Sequence, residues 1–278
     1  MKELELLKNL YSQDLETRKN WYSHVAEVYN KFRPRYPQEI INGAVEVAQL
    51  STKANILELG CGPGNATLAF AQLGFSMICL EPSLAACNLA KQNCVIYPQV
   101  EIQQTTFEEW ELETGKFDAV LAATSYHWIN PEFGNSKISQ ALRNHGNLIL
   151  LWNMTPQPEY EIYQNFREIY QKYAPLLDRY EDIETQKEIV RALGQKAIDS
   201  GKFKNLVSEQ VVCRVNYYMD DFLLLLSTYT PYLKLDIETR TCLFTALRKK
   251  IEDHYGGNIQ ITYISAFQVA KKAEADCS

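Results

Sequence analysis

The sequence predicts an α/β protein with one doubly wound, mostly parallel β-sheet. Short apolar segments alternate with helical segments through the first half of the chain. The apolar segments are continuous, which is typical of strands covered by helices on both faces of a sheet. A turn rich in glycine joins the first strand to the first helix. Together these features favour a doubly wound sheet.

The first two strand–helix units show this pattern clearly. NILEL (55–59) is an apolar run with one acid and predicts a strand, and NATLAFAQL (65–73) predicts the helix that follows it. FSMICLE (75–81) predicts the second strand, and SLAACNLAKQN (83–93) predicts the second helix. Because each strand is followed by a helix, we expect the strands to run parallel.

Three more strands complete the predicted core. VEIQQT (100–105) and FDAVLAA (117–123) predict the third and fourth strands. PEFGNSKISQALRNH (131–145) predicts a segment that is largely helical, and NLILLW (147–152) predicts the fifth strand. The first half of the chain therefore supplies five parallel strands.

The pattern changes after TPQP (155–158). The tract that follows is rich in tyrosine and charge and lacks strand alternation, which predicts inserted helices that cover the sheet at 156–205. Tyrosines at helical spacing are also typical of a core. Beyond the insertion, the sequence predicts a strand at 209–219, helices at 221–229 and 237–255, and a closing strand at 259–272.

These elements predict a single domain with four parts. The parts are N-terminal helices that include a lid (1–50), a ligand-binding core (51–155), the helical insertion (156–205) and the strands and helices that complete the sheet (206–278). The chain has 278 residues, of which 46% are hydrophobic and 22% charged, so it can bury a substantial core.

The composition argues against several classes of partner. A formal net charge of -6 does not suit a protein that gathers phosphates, so we expect no nucleic-acid partner. The longest aliphatic runs, such as FLLLL (222–226), are too short to span a bilayer, so we expect no membrane partner. We expect a monomer or homodimer that acts on a small molecule.

Cysteine usage indicates a reducing compartment. The seven cysteines form no C-x-x-C pair, which fits reduced thiols better than disulfides or a zinc site. The first twenty residues are charged throughout and carry no signal-peptide pattern. We therefore expect a cytoplasmic protein without a bound metal.

The glycine turn predicts a ligand site. Gly60, Gly62 and Gly64 allow backbone angles denied to other residues and let a ligand approach the bare backbone. The helix that begins near Asn65 points its free N–H groups toward the same place. The spacing is G-x-G-x-G rather than the G-x-G-x-x-G of dinucleotide-binding proteins, which argues against NAD.

Two acids refine the predicted ligand. Glu58, beside the glycines, would repel a pyrophosphate and attract an ammonium group. Glu81, which closes the second strand, can accept hydrogen bonds from two ribose hydroxyls. A ligand with a ribose, an ammonium group and no phosphate fits both acids, and S-adenosylmethionine is such a ligand.

The chain resembles class I S-adenosylmethionine-dependent methyltransferases of the small-molecule type. The resemblance rests on ILELGCGPGNAT, LEPS, FDAVLAATSYHWI and NLILLWN. YNKFRPRYP and STYTPY (227–232) add a likeness to the trans-aconitate-methyltransferase-like branch. The resemblance implies a Rossmann-like fold, S-adenosylmethionine as cofactor, and methyl transfer to a small molecule, with a carboxylate as one candidate acceptor.

The resemblance also implies a set of site residues. The expected cofactor-binding residues are Tyr29, Arg33, Glu58, Gly60, Cys61, Gly62, Gly64, Glu81, Pro82, Thr106, Phe107 and Thr124. The expected substrate-binding residues are Ser125, His127, Trp128 and Trp152. Such enzymes usually place an aspartate where Thr106 stands, and a threonine hydroxyl can accept the same hydrogen bond without charge assistance.

His127 is the candidate catalytic residue. It follows the fourth strand, where a doubly wound sheet places its ligands, and an imidazole can serve as a general base. The alternative is that His127 and Trp128 shape the pocket without proton transfer. A carboxylate acceptor needs no base, whereas a hydroxyl or amine acceptor does.

FRPRYP (32–37) carries two arginines between aromatic residues. Tyr29, Arg33 and Arg35 are candidates for a lid over the cofactor or for contact with an acidic substrate, and a solvated arginine pair is the alternative. Cys61 lies inside the glycine turn, but no base is placed to make it a nucleophile.

Two other functions compete with methyl transfer. A protein that binds S-adenosylmethionine without catalysis would use the same glycine turn, with SYHWI (125–129) as a sensor or partner surface. An NAD-dependent oxidoreductase would need nicotinamide binding, which the glycine spacing does not support.

Overall fold

The structure is a computed structural model and describes residues 23–274. Among these residues, eight strands form one sheet in the order β3-β2-β1-β4-β5-β8-β6, with β7 paired to β8. The strands are β1 (Asn55–Leu59), β2 (Ser76–Leu80), β3 (Val100–Gln103), β4 (Phe117–Ala123), β5 (Leu142–Asn153), β6 (Gln157–Pro158), β7 (Phe203–Tyr218) and β8 (Asn258–Lys272). The predicted lid is therefore described from Ser23 onward, and Cys277 lies outside the described residues.

Strands β1 to β5 are parallel, and β8 is antiparallel to β5, β6 and β7. The predicted doubly wound, mostly parallel sheet is confirmed. The helices of the described chain are α1 (Ala26–Phe32), α2 (Gln38–Val47), α3 (Asn65–Gln72), α4 (Leu84–Asn93), α5 (Pro131–Ala141), α6 (Tyr160–Tyr173), α7 (Ile183–Asp199), α8 (Met219–Leu226), α9 (Thr230–Leu233) and α10 (Ile237–Tyr255). None of the described helices has both the length and the apolar character needed to cross a bilayer.

Two apolar layers cover the two faces of the sheet. One layer packs α2, α3 and α4 against side chains such as Ile56 of β1. The other packs α5 and α7 against side chains such as Leu57 of the same strand. Successive residues of β1 enter opposite layers, as the period of a strand requires. The continuous apolar runs of the central strands follow from this double coverage.

The long strands β7 and β8 support a third cluster. Helices α6, α8 and α10 pack together over the far end of this antiparallel pair, with residues such as Phe166, Phe222 and Leu247 buried between them. Helix α7 packs on the sheet itself, where Val190 and Ala197 are buried. Of the helices after β5, α7 therefore covers the sheet, whereas α6, α8 and α10 form a separate cluster at the end of the β7–β8 pair.

The structure corrects three predicted boundaries. Helix α5 ends at Ala141 because fully buried Leu142 pairs with Phe117 and His145 has a positive φ of 67°. Strand β7 begins at Phe203, so the last residues of the predicted insertion belong to the sheet. Helix α8 ends at Leu226 rather than Tyr229, whose backbone is extended before the short helix that contains Pro231.

Candidate functional site

A cavity of about 730 Å³ opens at the carboxyl ends of the parallel strands. Gly60 follows β1, Glu81 follows β2, Thr124 follows β4, and Asn153 ends β5, and all four residues line the cavity. Ligands of doubly wound sheets bind at this edge, where the strand order reverses. The predicted site residues that line the cavity are Tyr29, Arg33, Gly60, Gly62, Glu81, Pro82, Thr106, Phe107, Thr124, Ser125, His127, Trp128 and Trp152.

The glycine turn brings bare backbone to the cavity. Gly60 and Gly62 have φ values of +65° and +56°, which L-residues with side chains rarely adopt. A Cβ atom at Gly60 would stand 3.0 Å from the Cβ of Ser125. Gly64 does not line the cavity; it precedes α3, and a Cβ atom at this position would lie 3.6 Å from atoms of Ala90 and Cys94. The first two glycines therefore face the cavity, and the third lies where α3 meets α4.

Glu81 holds the turn and faces the cavity. Its Oε2 accepts a hydrogen bond from the backbone N–H of Gly62 at 2.8 Å, and its Oε1 accepts one from the N–H of Ser83 at 2.9 Å. A carboxylate has about four acceptor positions, so two remain for ligand hydroxyls. Burial raises the pKa of Glu81 to about 7. The carboxylate is thus fixed by backbone donors before any ligand arrives.

Glu58 lies beneath the turn and does not line the cavity. The side chain is fully buried, and its Oε2 accepts a hydrogen bond of 2.6 Å from Thr67 Oγ1 of α3. Burial raises the pKa of Glu58 to about 7. Ile56 and Glu58 of β1 point into the layer that contains α3, which explains why Glu58 lies outside both cavities.

A smaller cavity of about 40 Å³ lies behind the glycine turn. Asn65 and Asn153 line it, and their Oδ1 atoms are buried without a hydrogen-bond donor among the described residues. The amide of Asn153 is oriented because its Nδ2 donates to the carbonyl of Pro34 at 2.9 Å. Two acceptors that lack donors fit a ligand group with several N–H bonds. The sequence reasoning missed Asn153, although its place at the end of β5 is a usable signal.

Cys61 lines this smaller cavity and is buried. Burial raises the pKa of its thiol well above the usual range. A thiol of this kind is inert, because the thiolate is the nucleophilic form. The structure therefore gives Cys61 a packing role at the turn.

The loop after β3 closes another side of the cavity. Thr106 Oγ1 donates to Glu109 Oε2 at 3.0 Å and accepts from the Glu109 N–H at 3.1 Å, so the hydroxyl is largely used within the turn. Lys137 Nζ donates to the carbonyls of Phe107 at 2.7 Å and Trp110 at 2.6 Å. These bonds fix Phe107 as an apolar wall.

Two hydroxyl groups hold the residues that follow β4, just before the candidate catalytic residue His127. Thr124 has a positive φ of 54°, and its hydroxyl is 2.7 Å from that of Tyr36. Ser125 Oγ donates to the carbonyl of Leu59 at 2.5 Å. Both hydroxyls are thus used to hold the β4 end in place.

His127 stands between two indole rings. Its ring centroid lies 5.4 Å from that of Trp128 and 5.9 Å from that of Trp152. Burial, together with the positive charges of Lys196 and Arg33, lowers the pKa of His127 to about 4. The imidazole is therefore neutral at physiological pH and a weak base.

Arg33 joins the N-terminal segment to the segment after α8. Its Nε donates to Thr228 Oγ1 at 2.8 Å, and its Nη2 donates to the Thr228 carbonyl at 2.9 Å. The guanidinium lies 3.5 Å from the ring centroid of Tyr229 and 4.7 Å from that of Tyr29. Arg35 instead donates to the carbonyl of Asn30 and lines neither cavity. The structure therefore does not bring Arg35 to a position where it could contact a substrate in the cavity.

Part of the chain is similar to known methyltransferases. Residues 56–146 match a family model described as a methyltransferase domain. Over these residues the chain is similar to a methyltransferase domain. It is 30% identical over 125 residues to an uncharacterized methyltransferase of Mycobacterium tuberculosis, a match that covers 45% of this chain and 49% of that protein. The chain thus spans about half the length of the curated relatives it matches.

Solved structures of methyltransferases show the same fold as this chain. A type II methyltransferase candidate from Anaeromyxobacter dehalogenans has a TM-score of 0.65 at 20% identity, covering 86% of this chain and 98% of that chain. Phosphoethanolamine N-methyltransferase 2 of Haemonchus contortus, in complex with S-adenosyl-L-methionine, has a TM-score of 0.50 at 14% identity, covering 96% of this chain and 60% of that chain. The predicted Rossmann-like fold is confirmed.

The residues that line the two cavities fit S-adenosylmethionine, the cofactor predicted from the sequence. Glu81 retains acceptor positions for the two ribose hydroxyls. The unpartnered Oδ1 atoms of Asn65 and Asn153 suit the ammonium group. Phe107 would contact the adenine ring. These residues would hold the cofactor.

We expect the segment 22–36, which the structure describes from Ser23 onward, to act as a lid. We expect its amide hydrogen exchange to slow when S-adenosylhomocysteine binds, because Tyr29 and Arg33 line the cavity and a closed site excludes water. Hydrogen-exchange mass spectrometry measures this directly.

Arg33→Met should reduce the protection and weaken cofactor binding about tenfold, since it breaks the contacts to Thr228 and Tyr229. Arg35→Met is the matched control, because Arg35 lies two residues away and outside the cavity. Unchanged exchange in the parent protein would remove the lid role.

Proposed function

We propose that this chain transfers a methyl group from S-adenosylmethionine to a small-molecule acceptor. The observation that carries the proposal is the continuity of the cavity. It runs from Glu81 and the glycine turn, past His127, to the face of α7 that includes Leu193. One space therefore adjoins both the expected cofactor residues and room for a second ligand.

The chain's own residues would mainly position the reactants. When bound, S-adenosylmethionine supplies a methyl group already activated by its sulfonium. Glu81 would orient the ribose, and the Trp128 and Trp152 rings would hold the acceptor in line and exclude water. Alignment of this kind removes much of the barrier of a two-reactant step.

A carboxylate is the acceptor that we propose. A general base is most effective when its pKa lies near the working pH, and the pKa of His127 is lowered to about 4. A carboxylate arrives deprotonated and needs no base. We also propose that the chain is related to the trans-aconitate-methyltransferase-like branch and that it is a monomer or a homodimer.

The competing function is binding of S-adenosylmethionine without catalysis. Such a protein needs no space beside the reactive methyl group. The cavity continues beyond His127, which supports methyl transfer.

The direct test is formation of S-adenosylhomocysteine. Purified protein would be incubated with S-adenosylmethionine and a panel of small carboxylic acids, and product methyl esters would be followed by mass spectrometry. We expect methyl ester with at least one acid and none with the corresponding amides. Absence of S-adenosylmethionine binding by calorimetry, or binding of NAD with equal affinity, would contradict the proposal.

His127→Ala separates the acceptor classes. With a carboxylate acceptor, we expect the single-turnover rate to stay within about tenfold of the parent, because general-base assistance of about 10²–10⁴-fold is not used. Cofactor affinity should be unchanged. A hundredfold loss at the chemical step in a folded variant would instead indicate a hydroxyl or amine acceptor.

A further inference from the structure

One wall of the large cavity is a single face of α7. The residues on this face are spaced by three or four positions, and they are Thr185, Glu188, Ile189, Ala192, Leu193 and Lys196. This spacing places them on one side of a helix. None of them was singled out by the sequence reasoning.

The orientation of α7 is fixed by its other face. Gln186 donates from Nε2 to the carbonyl of Thr155 at 3.0 Å and accepts at Oε1 from the N–H of Ile264 at 2.8 Å. A Cβ atom at Gly194 would overlap the side-chain amide of Gln268, so α7 packs closely on the sheet there. The cavity face is therefore held at a defined rotation.

The two charged residues of this face lie at opposite ends of its apolar part. Glu188 and Lys196 are eight residues apart, about 12 Å along a helix, with Ile189, Ala192 and Leu193 between them. The positive charge of Lys196 acts on His127. The cationic end of the face therefore lies close enough to influence the candidate reaction centre.

Lys196 differs from the other cation of the cavity that acts on His127. Arg33 is bound to Thr228 and lies against the ring of Tyr229. Within residues 23–274, Lys196 makes no hydrogen bond or ion pair. An ammonium group at the edge of an apolar wall is suited to a ligand anion.

We propose that Lys196 binds an anionic group of the acceptor, so that the enzyme selects small anions with an apolar body. This inference rests on the proposed function and adds a specificity-determining residue to it. The apolar body would lie along Ile189, Ala192 and Leu193, beside the indole rings of Trp128 and Trp152. Arg33 then serves the lid, and Lys196 serves the acceptor.

The test uses matched probes that differ in charge. The full chain, saturated with S-adenosylhomocysteine, would be titrated with 3-phenylpropionate and with 3-phenylpropionamide, and quenching of tryptophan fluorescence would report binding. We expect the acid to bind about tenfold more tightly than the amide. Lys196→Met should remove that preference, and Lys196→Arg should retain it. 2-Phenylethylphosphonate, as a third probe, separates a site for carboxylates from one that accepts any oxyanion, and tighter binding of either anion supports the proposal.

Lys187→Met is the matched control, because Lys187 lies on the same helix, pairs with Glu184 and does not line the cavity. The inference would be overturned if the parent protein bound neither anion more tightly than the amide, or if it bound none of the three probes. An anion preference that survives in Lys196→Met would overturn it as well. The affinity for S-adenosylhomocysteine is measured separately, and its absence would contradict the proposed function itself.

Discussion

Glu81→Ala is expected to weaken binding of S-adenosylmethionine and S-adenosylhomocysteine by about 1.5–3 kcal/mol, or roughly 10- to 150-fold. The change removes the acceptors proposed for the ribose hydroxyls. It also removes the bonds that the carboxylate accepts from the N–H groups of Gly62 and Ser83, which shape the turn. Isothermal titration calorimetry measures the loss.

Two controls separate these contributions for Glu81. Glu81→Gln keeps an oxygen for one backbone donor but loses the negative charge, so its affinity should lie between those of the parent and of Glu81→Ala. Glu101→Ala removes an exposed acid from the neighbouring strand β3 and should leave affinity unchanged. Parent-like affinity in Glu81→Ala would mean that the ribose is held elsewhere.

Glu58→Gln is expected to stabilise the protein at pH 8 by about 3 kcal/mol. Burial raises the pKa of Glu58 from 4.5 to about 7 in the folded state, so between these values the folded chain holds a proton that the unfolded chain has lost. The contribution of Glu58 to the free energy of unfolding is therefore complete below pH 4.5 and is lost as the pH rises through 7. Glutamine cannot ionise and can still accept the bond from Thr67.

Urea unfolding at pH 5 and pH 8 measures this effect. Between the two pH values, the free energy of unfolding should fall more in the parent than in Glu58→Gln. The variant should still lose some stability, because the pKa of Glu81 is also raised. Glu46→Gln, a change of an exposed acid on α2, is the control and should follow the parent. Equal pH dependence in the parent and Glu58→Gln would show that Glu58 ionises normally.

The sequence alone predicted the sheet and one end of the site. Continuous apolar runs must be covered on both faces, so NILEL and its neighbours specified parallel strands between helices. Gly60 and Gly62 adopt the positive φ values that their residue type suggested, and Glu81 follows β2 beside them. These predictions succeeded because each depends on residues close together in the chain.

Tertiary structure decided which side chains face the cavity. Only the packing of β1 on α3 places Glu58 against Thr67, beneath the turn rather than on the cavity surface. Arg33 meets Thr228 across 195 residues, and the face of α7 that carries Lys196 reaches the cavity because Gly194 lets the helix approach Gln268. Local periodicity determines where a helix or strand forms. The rotation and depth at which it packs depend on partners far away in the chain, and these set which side chains reach the cavity.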